Sequence, residues 1–334
     1  MNLKDIGEFG FIKRITPNSV NNPVNVMRAI GDDAAVFAIG KNECVVLTTD
    51  LLVERVHFIK EAMTGYQLGY KSLAVNLSDI AAMGAIPQHA FVSIGIPKET
   101  SIEYLDEIYR GMKDLAKQYN VNILGGDTTS SIVDLIINVA VTGVAKKKSL
   151  LYRNTAKEGD VIFCTGLLGD SKAGLDFILK SEQPKNDHEK RLFEAHCLPR
   201  PHIEEGLFLA NSGVVHSCID ISDGLSSDLM HIAEESNVGF ILQEDAIPVS
   251  PDLLHYCKEH GYSAIEYALA GGEDYVLVCT ADAKKATKLE NDFYKTFKRI
   301  LYRIGTITTE KKYLMKKNDG TFSDIKPKGW DHFA

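Results

Sequence analysis

"VVHSCIDISDGLSSDL", Val214 to Leu229, is an apolar, β-branched run that ends in acids and a glycine and then takes up helical spacing. Read as strand, turn and helix, it makes this part of the chain an alternating α/β unit. A cap on the helix accounts for Ser222 or Asp223, and one such side chain contributes only about 1 kcal/mol. Asp220, Asp223 and Asp228 exceed that need. Asp228 falls a turn inside the helix, where a structural role is enough. The surplus acids at the turn mark a site.

Outward from this stretch the same local design recurs. An apolar run ends, and acids follow beside glycine, serine or threonine: "IGDDAAV" (Asp32, Asp33), "LTTDLL" (Thr48, Thr49, Asp50), "LGGDTT" (Asp127) and "GGEDYVL" (Glu273, Asp274). Each alone is ordinary turn or cap chemistry. Asp79 in "NLSDIAAMG" differs, because it lies inside the helical pattern of Gly65 to Met83, where no cap is needed.

Acids at strand ends converge on the edge crevice of an α/β sheet, where ligands bind. Gathered carboxylates repel, and one or more stay protonated unless cations are present. Oxygen donors without His or Cys favour Mg²⁺ over zinc, and Mg²⁺ uses one or two carboxylates plus substrate phosphates. The pattern therefore predicts a nucleotide–metal site. Neither a G-x-x-x-x-G-K-[ST] loop nor a G-x-G-x-x-G turn with its ribose acid occurs, so metals replace the charge a P-loop would supply. "TGLLGDSKAGL", Thr165 to Leu175, reads as a strand-to-helix turn whose helix N-terminus suits an anion.

At 334 residues the chain exceeds what one core usually serves, which predicts two domains. Apolar residues at 45% and charged ones at 25% describe a folded globular protein. A net charge of −8 argues against nucleic-acid binding through a broad basic surface. No apolar run approaches the ~20 residues of a membrane span, and the N-terminus lacks a signal-peptide core; the expected compartment is the cytoplasm. The six cysteines form no C-x-x-C pair and read as buried reduced thiols.

Strands are expected at "ECVVLTTD", "AFVSIGIP", "VNILGGDTT", "LIINVAVTGVA", "VIFCTG" and "YVLVCT". Helices are expected from Gly65, Ile102, Ser171 and beyond "LPRPH", whereas "EQPKNDHEK" reads as a solvated insert. The charged segment "KKKSLLYRNTAKEGD" carries the expected boundary, giving domains 1–148 and 149–334.

Nine segments, in order from residue 7 to residue 333, resemble the thiamine-monophosphate kinase family of the aminoimidazole ribonucleotide synthetase superfamily. They are "GEFGFIKRI", "GDDAAV", "TTDLLVERVHF", "YKSLAVNLSDIAAMGA", "LGGDTT", "GDVIFCTGLLGDSKAGL", "DISDGLSSDL", "GGEDYVL" and "KGWDHF". The resemblance implies an α+β (mixed α/β) two-domain fold, a homodimer joined through the N-terminal sheet, and a C-terminal domain completing the active site. It implies direct, Mg²⁺-dependent transfer of the γ-phosphoryl group of ATP to thiamine phosphate, giving thiamine diphosphate and ADP without a protein nucleophile.

Carried over by position, Asp33, Thr48, Thr49, Asp50, Asp79, Asp127, Asp220 and Asp223 match positions that hold several Mg²⁺ ions. Tyr109, Gly126, Asp127, Arg153 and Ser222 match ATP contacts, and His57, Glu273 and Trp330 match thiamine phosphate contacts. Residue by residue, His57 also reads as a structural histidine, Tyr109 as part of a helix's apolar face, and Trp330 as a pin for the tail. Two other readings stand beside this one. A sister synthetase would act on another acceptor; selenophosphate synthesis needs a reactive N-terminal cysteine, and the first here, Cys44, lies in an apolar strand. A non-catalytic nucleotide module would bind ATP without turnover.

Overall fold

The computed structural model describes residues 5–327. Its first half begins with α1 (Gly7–Ile15) and builds a six-stranded sheet from β1 (Val26–Arg28), β2 (Ala35–Ala38), β3 (Glu43–Val53), β4 (Ile86–Pro97), β5 (Asn122–Ser131) and β6 (Ile136–Lys146). The strand order is β1-β2-β3-β6-β4-β5, antiparallel except for the parallel β4–β5 edge. Helices α2 (Gly65–Ala82) and α3 (Ile102–Gln118) complete this half. Along β3 side chains alternate: Cys44, Val46, Thr48 and Leu52 are buried inward, while Leu47, Thr49 and Leu51 are exposed outward. Phe37, Phe91 and Leu124 are also exposed on strands of this sheet.

The second half holds β7 (Val161–Cys164), β8 (Val215–Asp220), β9 (Gly239–Gln243), β10 (Leu277–Ala281), β11 (Tyr302–Thr308), β12 (Tyr313–Lys316) and β13 (Phe322–Asp324). Its sheet order is β13-β12-β9-β11-β7-β10-β8, with only β9–β12 parallel. Around it run α4 (Asp170–Leu179), α5 (Asp187–Cys197), α6 (Ile203–Ser212), α7 (Leu225–Ser236), α8 (Pro251–His260), α9 (Ala264–Ala270) and α10 (Ala286–Phe297). The architecture is two-layered α+β in both halves, with mixed sheets.

Helix α2 is the hinge of the packing. Fourteen of its eighteen residues are buried, so it is enclosed on every side and not merely amphipathic. One side lies on β3, β4 and β6; the other meets α6, α5 and β8. A single apolar core therefore runs from Val46 and Val139 through Leu73 and Leu77 to Phe163 and Leu277 of the second sheet and Phe293 of α10. A Thr64–Gln67 capping box fixes where α2 starts.

The segment "EQPKNDHEK" is solvated, as read, but it also carries the start of a helix. Asn186 accepts from the Glu189 amide and starts α5 there, and the helix goes on to bury Leu192, His196 and Cys197. The first turn is wholly polar, which hid the helix start. All six cysteines are buried and free, as the spacing suggested. Among the described residues no helix is long and apolar enough to cross a membrane.

Candidate active site

Asp33, in the turn before β2, and Asp50, Asp79 and Asp220, on β3, α2 and β8, face one another. Asp50 sits mid-strand on β3 rather than at a strand end, its amide donating to Asn76 Oδ1 of α2 at 3.2 Å. Asp79 occupies the last turn of α2, the carbonyl end, where the helix dipole disfavours an anion. Thr48 Oγ1 donates to Asp79 Oδ2. Across the two halves, Ser78 Oγ donates to Asp220 Oδ2 at 2.6 Å, fastening the end of β8 to α2.

Asp220 is buried, and Asp33, Asp50 and Asp79 are half-buried. Burial lifts Asp50 to about 6 and Asp220 to about 6. It carries Asp79 well above the usual carboxylate range, helped by the charges of Asp50, Asp220 and Asp33. Asp33 is raised in the same way by burial, then by Asp220 and Asp32. One oxygen of Asp33 is buried without a hydrogen-bond partner. Such a set is stable ionised only around cations. Its donors are all oxygens, which suits a hard divalent ion.

Arg153 reaches this cluster, 3.8 Å from Asp33. Its Nε lies 2.6 Å from Glu235, which also holds Arg28 at 2.9 Å; Arg28 in turn pairs with Asp32 at 2.9 Å. Glu235 and Arg28 belong to no acidic motif, and nothing local in the sequence marks them.

The β8–α7 turn corrects one expectation. Helix α7 is capped neither by Ser222 nor by Asp223: Gly224, at φ +120°, is its N-cap, with no side-chain bond. The turn amides are satisfied from inside the helix instead, Asp228 Oδ2 accepting from the amides of Asp223 at 3.1 Å and Gly224 at 3.0 Å. Asp228 is structural, as read, and frees Ser222 and Asp223 from capping. Asp223, Asp228 and His231 also bring ligand atoms within 4.8 Å of one another. Burial, then Arg153, lowers His231 to about 4, so its ring is neutral.

The "GGED" loop lies directly on this turn. Glu273 N donates to Ser222 O at 2.7 Å and Tyr275 N to Ile221 O at 2.9 Å. A Cβ on Gly272 would stand 2.3 Å from Ser222 O, so only glycine permits the contact. Asp274 accepts from the amides of Gly169 at 2.7 Å and Ser171 at 3.3 Å. The anion position at the N-terminus of α4, read from "TGLLGDSKAGL", is thus filled by the chain's own Asp274. Burial raises the Glu273 carboxyl, but Lys71, by its charge and its hydrogen bond, outweighs it and, with His57, holds the group below its ordinary value. His57 itself closes a tight turn after β3, its Nδ1 accepting from Val53 N at 3.0 Å.

Tyr109, Gly126, Thr49 and Asp127 stand apart from this cluster within one chain. Gly69 abuts the backbone of Ile108, so Tyr109 lies ten residues, about 15 Å, along α2 from Asp79. Asp127 is in register with Ser93, Asn138 and Leu51, which places it with Thr49 on the outer face, three strands or about 14 Å from β3. Gly126 precedes it at φ +151°, where a Cβ would meet Val92 O at 1.7 Å. Trp330 lies outside the described residues. A cavity of about 580 Å³ beyond β3, lined by Glu54, Lys60, Lys98, Thr100 and Ser131, contains none of the clustered acids.

Residues 31–145 match the model of the AIR synthase related protein N-terminal domain, and residues 157–316 that of its C-terminal domain. The thiamine-monophosphate kinase of Buchnera aphidicola (subspecies Schizaphis graminum) is 38% identical over 98% of this chain and 99% of its own. That of Bacillus subtilis is 34% identical over 98% and 99%. The solved structure of AaThiL complexed with AMPPCP and TMP matches with a TM-score of 0.87 and 32% identity, covering 100% of this chain and 99% of its own. By fold, by full-length similarity and by the acids that meet at its centre, the chain belongs to the thiamine-monophosphate kinase family of AIR synthase related proteins.

Proposed function

We propose that this protein transfers the γ-phosphoryl group of ATP directly to the phosphate of thiamine phosphate, forming thiamine diphosphate and ADP. The observation that carries the reading is the convergence of Asp33, Asp50, Asp79 and Asp220, raised by burial and mutual charge and supplied by both halves of the molecule. Phosphoryl transfer between two phosphates needs alignment and charge neutralisation more than a protein nucleophile. These acids, with Thr48 and with Asp223 at the adjoining turn, are the groups that would hold Mg²⁺. When bound, the ions neutralise phosphate oxygens and lower the repulsion between donor and acceptor.

The chain's own contributions follow from their places. Arg153, held by Glu235, presents a forked donor to a nucleotide phosphate, and Ser222 faces the same turn. His57 and Glu273, which act on each other electrostatically, form the thiamine end of the cleft, with Trp330 as a stacking partner.

The active form in this reading is a homodimer. The outer face of the first sheet exposes Leu47, Leu51 and Phe91, more apolar surface than a sheet face leaves in water. Thr49 and Asp127 lie on that face, and Tyr109 and Gly126 stand roughly 14–15 Å from the clustered acids, along α2 and across the sheet. A second copy of the chain brings its Tyr109, Gly126 and Asp127 to each site. The two units divide at 148/149. The free thiols fit a reducing cytoplasm.

Purified protein incubated with ATP, Mg²⁺ and thiamine phosphate is expected to give equal amounts of thiamine diphosphate and ADP. ATP binding without thiamine diphosphate would favour the non-catalytic module, and turnover only with another acceptor would favour a sister synthetase.

A further inference from the structure

Lys71 is buried almost completely, at 1% exposure, in the middle of the molecule. Its ammonium lies 2.9 Å from Glu273 Oε1 and 3.2 Å from His196 Nε2. On the far side of that ring, His196 Nδ1 lies 3.1 Å from Ser171 Oγ and 3.4 Å from Glu273 Oε2. The cluster ties α2 of the first half to α4, α5 and the "GGED" loop of the second.

A buried ammonium requires partners for its protons, and Glu273 and His196 supply two of them. Burial, followed by the charge of Lys71, lowers His196 to about 3, so the ring is neutral. Facing an ammonium, Nε2 accepts, and Nδ1 therefore carries the hydrogen and donates to Ser171 Oγ or Glu273 Oε2. The ammonium and the Nδ1 hydrogen each have a Glu273 oxygen within reach, which makes the carboxylate their common acceptor. Glu273 also sits at φ +63°, a left-handed conformation that a glutamate keeps only where its surroundings hold it. Its amide is tied to Ser222 O, yet its side chain remains 29% exposed. The carboxylate is clamped at its back and open at its front.

We propose that Lys71, with His196 behind it, is a positioning residue for the reaction: it fixes the Glu273 carboxylate at the angle at which that group meets thiamine phosphate. The inference rests on Glu273 being a thiamine phosphate contact. It also makes α2 the carrier of both ends of the cleft, with Asp79 at one end of the helix and Lys71 two turns earlier.

Steady-state kinetics of full-length Lys71→Met, Glu273→Gln and the double variant test it. Each single variant should raise KM for thiamine phosphate at least about tenfold while KM for ATP stays within about twofold. The double variant should resemble Glu273→Gln within about threefold, since both changes remove one interaction; independent roles would multiply to about a hundredfold. If Glu273→Gln leaves KM for thiamine phosphate unchanged, the underlying assignment of Glu273 is overturned. If Glu273→Gln raises it but Lys71→Met does not, or raises both KM values alike, the positioning role is overturned. Should Lys71→Met not fold, the double variant leaves no unpaired buried charge and decides the matter: equality with Glu273→Gln supports the proposal, and a further tenfold loss refutes it.

Discussion

Asp79 shows at the scale of a residue what the site demands. A carboxyl at the carbonyl end of a helix, beside Asp50, Asp220 and Asp33, destabilises the empty fold, and only a bound cation offsets that. Asp79→Asn is therefore expected to raise Tm without Mg²⁺ by roughly 2–4 °C, abolish the Mg²⁺-induced rise and reduce turnover at least about a hundredfold, as thermal shift and kinetics will show. The pH dependence has a definite sign. Asp50 and Asp220 titrate near about 6 when folded and at 3.8 ordinarily. As pH rises through that window the unfolded chain releases protons that the folded one keeps, so metal-free stability falls and stays low above it. Mg²⁺ competes with those protons. Its stabilising effect in thermal shift should be clearly larger at about pH 7.5 than at about pH 5. These acids were legible in the sequence because a cap or turn needs one polar group and the motifs supply several. Lys71 and His196 were not, because a lysine within "YKSLAV" carries no local sign of being buried.

Among the elements, the β8–α7 turn is the most heavily specified. Asp228 accepts two turn amides from within α7, and Ser222 O and Ile221 O receive the "GGED" loop. Asp228→Ala orphans both amides and is expected to cost about 2 kcal/mol in denaturant unfolding and to raise KM for ATP. Asp228→Asn retains a carbonyl acceptor and should recover most of the loss. Strand and helix types were largely readable, since "ECVVLTTD" and the Ile102 helix follow the periods of 2 and 3.6. The helix cap was not, because Ser222 and Asp223 are both good capping residues, and Asp228 satisfies the turn amides from inside the helix instead, leaving Gly224 at φ +120° as the N-cap.

At the scale of the whole molecule, α2 joins the halves and the first sheet leaves an apolar outer face. If that face pairs two copies, Leu51→Lys should yield monomers in analytical ultracentrifugation. Turnover should fall at least about tenfold with the fold intact, because each site loses the second copy's Asp127. The sequence indicated two α+β units but not that one helix is enclosed by both, as enclosure on all sides erases the one-sided apolar stripe by which a helix's neighbours are inferred.

Direct transfer between two phosphates requires that none of the clustered aspartates is phosphorylated on the way. Acid-quenched reactions with γ-³²P-labelled ATP and thiamine phosphate test it most directly. The label should appear in thiamine diphosphate, with none retained on the protein at any time during a single turnover. Label on the protein, or released only as inorganic phosphate, would contradict the account.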